Sequence, residues 1–132
     1  MILLSVAFWW IALGSLVMAF GLLCLIFVHE MGHIAAAKYK GLAVSMPTFT
    51  PLGGQVLIEG TRTAAEEAFV KMAGPVVGGL AALATLLVGS IFGSHVLTQI
   101  AMMGFAVNLF NLIPLDPLDG GGIRRLSISA FL

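Results

Sequence analysis

The sequence predicts an all-α membrane protein with three transmembrane helices and a short β-hairpin or re-entrant loop between the first and the second. Charged residues make up 9% and hydrophobic residues 60% of the 132 residues, whereas soluble domains carry about 25% charged residues. Mean hydropathy is +1.10, and long apolar segments alternate with short polar ones, as in membrane-spanning chains. The length suits one domain, so we expect residues 1–132 to form a single membrane-embedded unit.

The first predicted span covers about residues 8–40. No charged side chain occurs between Met1 and Val28, and a bilayer is crossed by about 20 apolar residues. The run lacks the positively charged start of a secretory signal peptide. Three successive aromatic residues at 8–10 are typical of a membrane interface. Gly41 is expected to end the helix, so one continuous helix is predicted to contain most of this segment.

Residues 43–60 are predicted to form the β-hairpin or re-entrant loop. Prolines and glycines exclude a helix here, and strand-like composition occurs at 44–50 and 55–59. Backbone that is not helical is tolerated at membrane depth only when it is buried in protein or lines a wet cavity. The segment is therefore expected to lie against the helices or beside water.

Two further apolar segments, at about 74–92 and 96–113, are the second and third predicted spans. A helix start precedes the second, because Thr63 and Glu66 have the spacing of a capping box. Gly74-Pro75 is expected to kink or break that helix.

The positions of the basic residues predict the orientation of the chain in the membrane. Lysine and arginine follow the first and third spans, and neither occurs in the N-terminal segment or in the 93–95 turn. By the positive-inside rule, the N-terminus is outside, while the 41–71 loop and the C-terminus are cytoplasmic. Formal net charge is zero, and no basic cluster indicates nucleic-acid binding.

Two histidines four residues apart, His29 and His33, lie within the first span, and Glu30 directly follows the first. Positions i and i+4 share one helix face, so both imidazoles can bind a single metal ion while Glu30 reaches a water on it. This His-Glu-x-x-His pattern is typical of zinc metallohydrolases. Ionisable groups in an apolar helix cost free energy unless they are paired or metal-bound, which favours a metal site over a chance match.

A catalytic zinc ion usually has three protein ligands, and the third must come from elsewhere in the chain. Asp116 and Asp119 both follow the third span. Asp119 is modestly preferred because three glycines follow it and allow close backbone approach; its alternative role is to cap a following helix. Asn108 and Asn111 are amides in an apolar segment and are costly unless hydrogen-bonded. Asn111 is close enough to aim at a reacting carbonyl, or it makes an interhelical hydrogen bond.

Together, His29–His33 and Asn111–Gly121 resemble the site-2 protease family of intramembrane zinc metalloproteases. Pro51–Gly54 and Ala73–Pro75 also resemble elements of that family. These motifs cover most of residues 25–122. The first two are specific as a pair, whereas the other two are weak alone.

The resemblance implies a three-helix catalytic core that holds one zinc ion. The ligands would be His29, His33 and Asp119. Glu30 would be the general base, and Asn111 a polar group near the reacting carbonyl. The activity implied is hydrolysis of a peptide bond within or near the membrane-spanning segment of a protein substrate.

The resemblance also places the 51–58 strand near the substrate. Gly53, Gly54, Gln55 and Val56 are the expected substrate-binding residues, since an extended peptide can add to a strand edge. The expected setting is the lipid bilayer of a prokaryotic plasma (inner) membrane, crossed several times, with the active site towards the cytoplasm. Many family members have an asparagine soon after the Ala-Gly-Pro element; here residues 76–79 contain none, so Asn108 or Asn111 would have to take its role.

The alternative function is a non-catalytic zinc-binding membrane protein, either a pseudoprotease or an element of a metal transporter. Glu30 disfavours it, because a protein that only binds zinc needs no general base. A transporter also needs polar groups along its spans, and the first span has only Ser5 and Ser15 before the histidines.

Overall fold

The computed structural model describes residues 1–51, 53–60 and 62–129. The helices are α1 Ile2–Leu13, α2 Leu16–Tyr39, α3 Ala64–Ile91, α4 His95–Asn111 and α5 Asp119–Ser129. The strands are β1 Ala43–Val44, β2 Thr48–Thr50, β3 Gly53–Gln55 and β4 Ile58–Glu59. Leu52, which belongs to the Pro-Leu-Gly-Gly element, lies outside the described residues, as do Thr61 and residues 130–132. The described chain is mostly helical, as predicted.

The continuous helix expected over residues 8–40 is wrong, because the chain breaks at Gly14. Gly14 adopts φ 67° and donates its backbone N–H to the Trp10 carbonyl at 2.8 Å, ending α1. This left-handed conformation is readily available only to glycine. Ser15 then begins α2 by accepting a hydrogen bond from the Met18 N–H at 3.3 Å. Glycine is also common inside membrane helices, so the sequence pattern favoured a continuous helix at this point.

In the described part of the chain, two helices are long and apolar enough to cross a membrane, α2 with 24 residues and α3 with 28. The third predicted span forms α4, which has 17 residues and is therefore about 25 Å long. That length is at the lower end of the range for a membrane crossing. Two of the three predicted spans are thus supported by length and composition, and the third stays a prediction.

The predicted hairpin between α2 and α3 is present as two nested antiparallel pairs. The outer pair joins β1 to β4, and the inner pair joins β2 to β3 with Thr48 opposite Gln55 and Thr50 opposite Gly53. In the inner pair the Thr50 hydroxyl also donates to the Gly53 carbonyl at 3.0 Å. The hairpin lies against α1 and α2.

Helix α3 begins with the predicted capping box. The Thr63 hydroxyl accepts from the Glu66 N–H at 3.1 Å, and the Glu66 carboxylate accepts from the Thr63 N–H at 2.9 Å. Of the kink or break expected at Gly74-Pro75, the kink stays a prediction, whereas the break is wrong, since α3 continues through Pro75. Packing explains this: a Cβ on Gly32 of α2 would lie 2.7 Å from the Ala73 carbonyl oxygen, so the two helices touch here and hold α3 in place.

The core of the fold lies between α2, α3 and α4. Leu25, Ala82 and Ile100 come from these three helices in turn and are buried together. Closer to the end of α2, Ala37 and Val70 are fully buried between α2 and α3. Many large apolar side chains are exposed on the outward faces of the helices, as expected of surfaces that face lipid.

Candidate metal centre

Helix α2 brings His29, Glu30 and His33 into the interior, where all three are buried. The two histidines are one helical turn apart, with ring centroids 4.7 Å apart and planes at 83°. Their Nε2 atoms are 3.0 Å apart. The helix therefore directs both imidazoles to one point, as the four-residue spacing requires.

Asp119 completes a triangle with the two imidazoles. It is the first residue of α5 and is buried. Its Oδ2 atom lies 3.1 Å from Nε2 of His29 and 3.2 Å from Nε2 of His33. Asp116, the other candidate, is exposed and forms an ion pair with Arg125. Of the two aspartates, the structure thus places Asp119 beside the histidine pair.

Each imidazole is oriented by a hydrogen bond on its far side. Nδ1–H of His29 donates to the side-chain oxygen of Asn108 at 2.8 Å, and Nδ1–H of His33 donates to the Val70 carbonyl at 2.8 Å. Because both partners can only accept, each Nδ1 must carry the hydrogen. In a neutral imidazole the other nitrogen, Nε2, then has a free lone pair.

The three converging atoms fit a zinc ion. Two lone pairs and a carboxylate oxygen at 3.0–3.2 Å from one another repel each other unless a cation lies among them. Ligands of a tetrahedral zinc ion with bonds of 2.0–2.1 Å are about 3.3 Å apart, close to the observed separations. Neutral imidazoles whose Nδ1–H is hydrogen-bonded are the usual form of zinc-bound histidine.

The Glu30 carboxylate lies near this triangle but is a poorer ligand than Asp119. Its nearest oxygen and the ligand atoms of His29 and His33 are within 4.8 Å of one another, whereas the Asp119 oxygen is within 3.2 Å of both nitrogens. Glu30 also faces the hairpin: a Cβ on Gly54 would lie 2.5 Å from Glu30 Cγ and 2.8 Å from its Oε1. The backbone of β3 is therefore in contact with this carboxylate.

Helix α3 approaches the histidines through Gly74. A Cβ at this position would overlap the His33 ring and lie 2.9 Å from Nε2 of His29. Real Cβ atoms do not approach other atoms this closely, so a side chain at position 74 would displace the imidazoles. Gly74 thus permits α3 to close one side of the site.

Lys71, one turn earlier on α3, contributes the nearest positive charge. Its Nζ lies 3.4 Å from Oδ1 of Asp119. Burial raises the pKa of the Asp119 carboxyl, whereas the positive charge of Lys71 lowers it. A metal ligand must be the ionised carboxylate, and the Lys71 ammonium favours that form.

The remaining predicted residues lie around this centre. Gly53, Gly54 and Gln55 form β3, and Val56 follows it; their role in binding substrate stays a prediction. Asn111 is the last residue of α4 and is half-buried, and its catalytic role also stays a prediction.

Four contacts at the site were not predicted. The Val70 carbonyl acts through backbone position, which leaves no sequence pattern, and Gly74 was noted only as part of the Ala73–Pro75 element, without its contact to the histidines. Lys71 had only a weak signal, a charge close to an apolar segment. Asn108 was recognised as a costly buried amide, but its partner, His29, depends on the packing of α4 against α2.

Comparisons with known proteins identify the family of this chain. The family model described as peptidase family M50 matches residues 17–100. The chain belongs to peptidase family M50. The M50 chain is 30% identical over 107 residues to a zinc metalloprotease of Methanocaldococcus jannaschii, covering 77% of this chain and 31% of that protein. It is 33% identical over 112 residues to stage IV sporulation protein FB of Bacillus subtilis, covering 82% and 39%.

A solved structure is also similar to the M50 chain. The site-2 protease from Methanocaldococcus jannaschii superimposes with a TM-score of 0.77 at 26% identity, covering 98% of this chain and 64% of that one. The resemblance to site-2 proteases is thereby confirmed. The M50 chain spans about a third of the length of the curated relatives that it matches.

Proposed function

We propose that the M50 chain carries the catalytic centre of an intramembrane zinc metalloendopeptidase. Its substrate is a membrane protein, cleaved within or near a transmembrane segment. One observation carries this proposal: two imidazole nitrogens and a carboxylate oxygen converge to within 3.2 Å in the interior of an apolar fold, next to a second carboxylate. This arrangement supports a hydrolytic zinc site with three ligands and a general base.

His29, His33 and Asp119 are the proposed ligands of a single zinc ion. When bound, zinc supplies a Lewis acid that lowers the pKa of water and polarises a carbonyl. The two Nδ1 hydrogen bonds keep the imidazoles in the ligating tautomer. Lys71 holds the other oxygen of Asp119, so the carboxylate presents one oxygen to the histidines.

Glu30 is the proposed general base. Its carboxylate takes a proton from the attacking water and later delivers one to the nitrogen of the leaving amine. Its place one residue after His29 puts it beside the metal ligands without making it one of them. Asn111 is proposed to donate a hydrogen bond to the carbonyl oxygen as negative charge develops there.

The proposed substrate site is the edge of β3, comprising Gly53, Gly54 and Gln55, together with Val56. In the described part of the chain, β3 pairs with β2 on one edge, and Gly54 lies against Glu30. An extended peptide that adds to the other edge would be held by main-chain hydrogen bonds beside the general base. A transmembrane substrate must unwind locally first, since a helical peptide bond is shielded from attack.

We also propose that α4 is a third membrane crossing, with the N-terminus outside and the site towards the cytoplasm of a prokaryotic inner membrane. The distribution of lysine and arginine supports this orientation. It places α5 and the hairpin on the cytoplasmic side, where water can reach the site.

A glutamate-to-glutamine substitution tests the function directly. Glu30→Gln removes the base but keeps the side-chain size, so we expect bound zinc to be retained and cleavage of a membrane-spanning substrate to fall by about 100- to 10,000-fold. The matched control is Glu59→Gln, which makes the same change at an exposed position on β4. Full activity of Glu30→Gln would refute the assigned mechanism. Zinc binding without cleavage by the wild type would instead support the non-catalytic alternative.

A further inference from the structure

The two imidazoles are oriented by different kinds of acceptor. His33 donates to a main-chain carbonyl, that of Val70, which no substitution can delete. His29 donates to a side chain, that of Asn108 on α4. The geometry of His29 therefore depends on one replaceable residue, which comes from a different helix.

The orientation of the Asn108 amide is itself fixed. Its Nδ2 donates to the Gly104 carbonyl one turn earlier, at 2.8 Å. The nitrogen of the amide is thus directed to the backbone of α4, and the oxygen is directed to His29. A rotated amide would bring an N–H group against Nδ1–H and a carbonyl oxygen against the Gly104 oxygen, so both hydrogen bonds would be lost.

Among the residues that the structure describes, the Asn108 oxygen is the one acceptor found within hydrogen-bond distance of Nδ1 of His29. Asn108 is 6% exposed. The space around it and His29 is lined by Leu22, Leu25 and Ile26 of α2 and has no room for a water molecule. Without the amide oxygen, Nδ1–H of His29 would be buried with no partner, and a buried donor without a partner is strongly disfavoured.

Helix α3 leaves space for the amide only because residue 78 is glycine. A Cβ on Gly78 would overlap the Asn108 side-chain oxygen. Asn108 is therefore confined from three directions: by α3 at Gly78, by its bond to Gly104, and by the apolar side chains of α2. These contacts hold the amide oxygen at the position where it accepts the hydrogen bond from Nδ1–H of His29.

We propose that Asn108 is a positioning residue that fixes the tautomer and ring orientation of His29, and so keeps Nε2 free to bind a metal ion. An imidazole that lost this partner would be stabilised by moving its hydrogen to Nε2, where Asp119 can accept it. The lone pair would then lie on Nδ1, away from the other two ligands. The inference rests on the proposed zinc site, but not on cleavage of any substrate.

Zinc affinity tests the role of Asn108. Asn108→Leu keeps the approximate size and removes the acceptor, and we expect its zinc affinity, measured by competition with a chromophoric chelator, to fall by about 10- to 100-fold. Asn108→Asp keeps an acceptor for Nδ1–H, and we expect it to remain within a few-fold of the wild type. Gln99→Leu removes an exposed amide from the same helix and is the control, expected to bind zinc as the wild type does.

The tautomer of His29 provides a second measurement, which needs neither metal nor activity. Nitrogen chemical shifts of ¹⁵N-histidine in metal-free protein should show hydrogen on Nδ1 of His29 in the wild type and in Gln99→Leu, and on Nε2 in Asn108→Leu. An unchanged tautomer together with unchanged zinc affinity in Asn108→Leu would overturn the inference. An Asn108→Asp variant that loses as much affinity as Asn108→Leu would also overturn it, because the acceptor would then not be what matters. Failure of Glu30→Gln to abolish cleavage would refute the catalytic mechanism and leave this inference standing.

Discussion

Lys71 and Asp119 form an ion pair between α3 and α5, with Nζ 3.4 Å from Oδ1. The other oxygen, Oδ2, lies within 3.2 Å of both histidine Nε2 atoms. The two oxygens of one carboxylate thus have separate partners. Lys71 occupies the oxygen that would otherwise compete for the same ion, and it fixes the rotation of the carboxylate.

We therefore expect Lys71→Met to weaken zinc binding, because Asp119 loses its orienting partner. Lys71 is 27% exposed, and partly exposed ion pairs are screened, so the expected loss is about two- to tenfold. Lys71→Arg keeps the charge and should lose less. Lys38→Met, at an exposed position on α2, is the control. Equal zinc affinity of Lys71→Met and Lys38→Met in chelator competition would exclude this role of Lys71.

Gly74→Ala should damage the metal centre without disturbing the rest of α3. Alanine favours helix over glycine, but its Cβ would overlap the His33 ring, so the imidazoles must move apart. We expect at least a tenfold loss of zinc affinity, with helix content by circular dichroism unchanged. Gly79→Ala is a close control, since a Cβ at Gly79 would meet nothing within 4 Å. Zinc binding that is the same in both variants would show that the imidazoles tolerate the displacement.

Gly54→Ala should separate cleavage from metal binding. The added methyl would press on Glu30, 2.5 Å from its Cγ, and its three nearest atoms all belong to Glu30. We expect zinc content to stay at the wild-type level while cleavage falls about tenfold or more, since small displacements of a general base are costly. Leu57→Ala, an exposed residue of the same hairpin, should cleave normally. A variant Gly54→Ala that cleaves at the wild-type rate would argue against close contact of β3 with the base.

Asp119→Asn and Asp116→Asn make the same chemical change three residues apart. Added zinc should raise the thermal unfolding midpoint of the wild type and of Asp116→Asn, because ligand binding to the native state stabilises it; at 100 times Kd the gain is about 2.7 kcal/mol. Asp119→Asn loses the anionic ligand and should show little or no shift. A full zinc-induced shift in Asp119→Asn would remove Asp119 from the ligand set.

Local patterns in the sequence were sufficient for the parts of the fold that depend on neighbouring residues. His29 and His33 share a face because of helix geometry alone, and the capping box of Thr63 and Glu66 spans a single turn. The choice of Asp119 over Asp116 could only be favoured from sequence. It depends on the docking of α5, where Gly120 lies against the carbonyl oxygens at the end of α4.

The errors at Gly14 and Pro75 concern residue types whose effect on a helix depends on the packing around them. Gly14 breaks a helix, whereas Gly21 in the next helix does not; the second is held by contact with Ile100 of α4. Pro75 lies inside α3, a helix that packs against both α2 and α4. Contacts made by main-chain atoms, such as the Val70 carbonyl with His33, have no residue type that would reveal them.

Because Asp119 lies at the first turn of α5, the proposed metal centre would tether that helix in addition to its proposed catalytic role. Besides the ion pair of Asp119 with Lys71, the polar contacts between α5 and α3 include an exposed ion pair between Arg125 and Glu67. Exposed ion pairs contribute little free energy. A metal ion bound by both α2 and α5 would close a long loop of the chain. A cross-link that closes a long loop restricts the unfolded chain more than one that closes a short loop. Chelation should therefore loosen α5 before the rest of the protein, and amide exchange in α5 should quicken first.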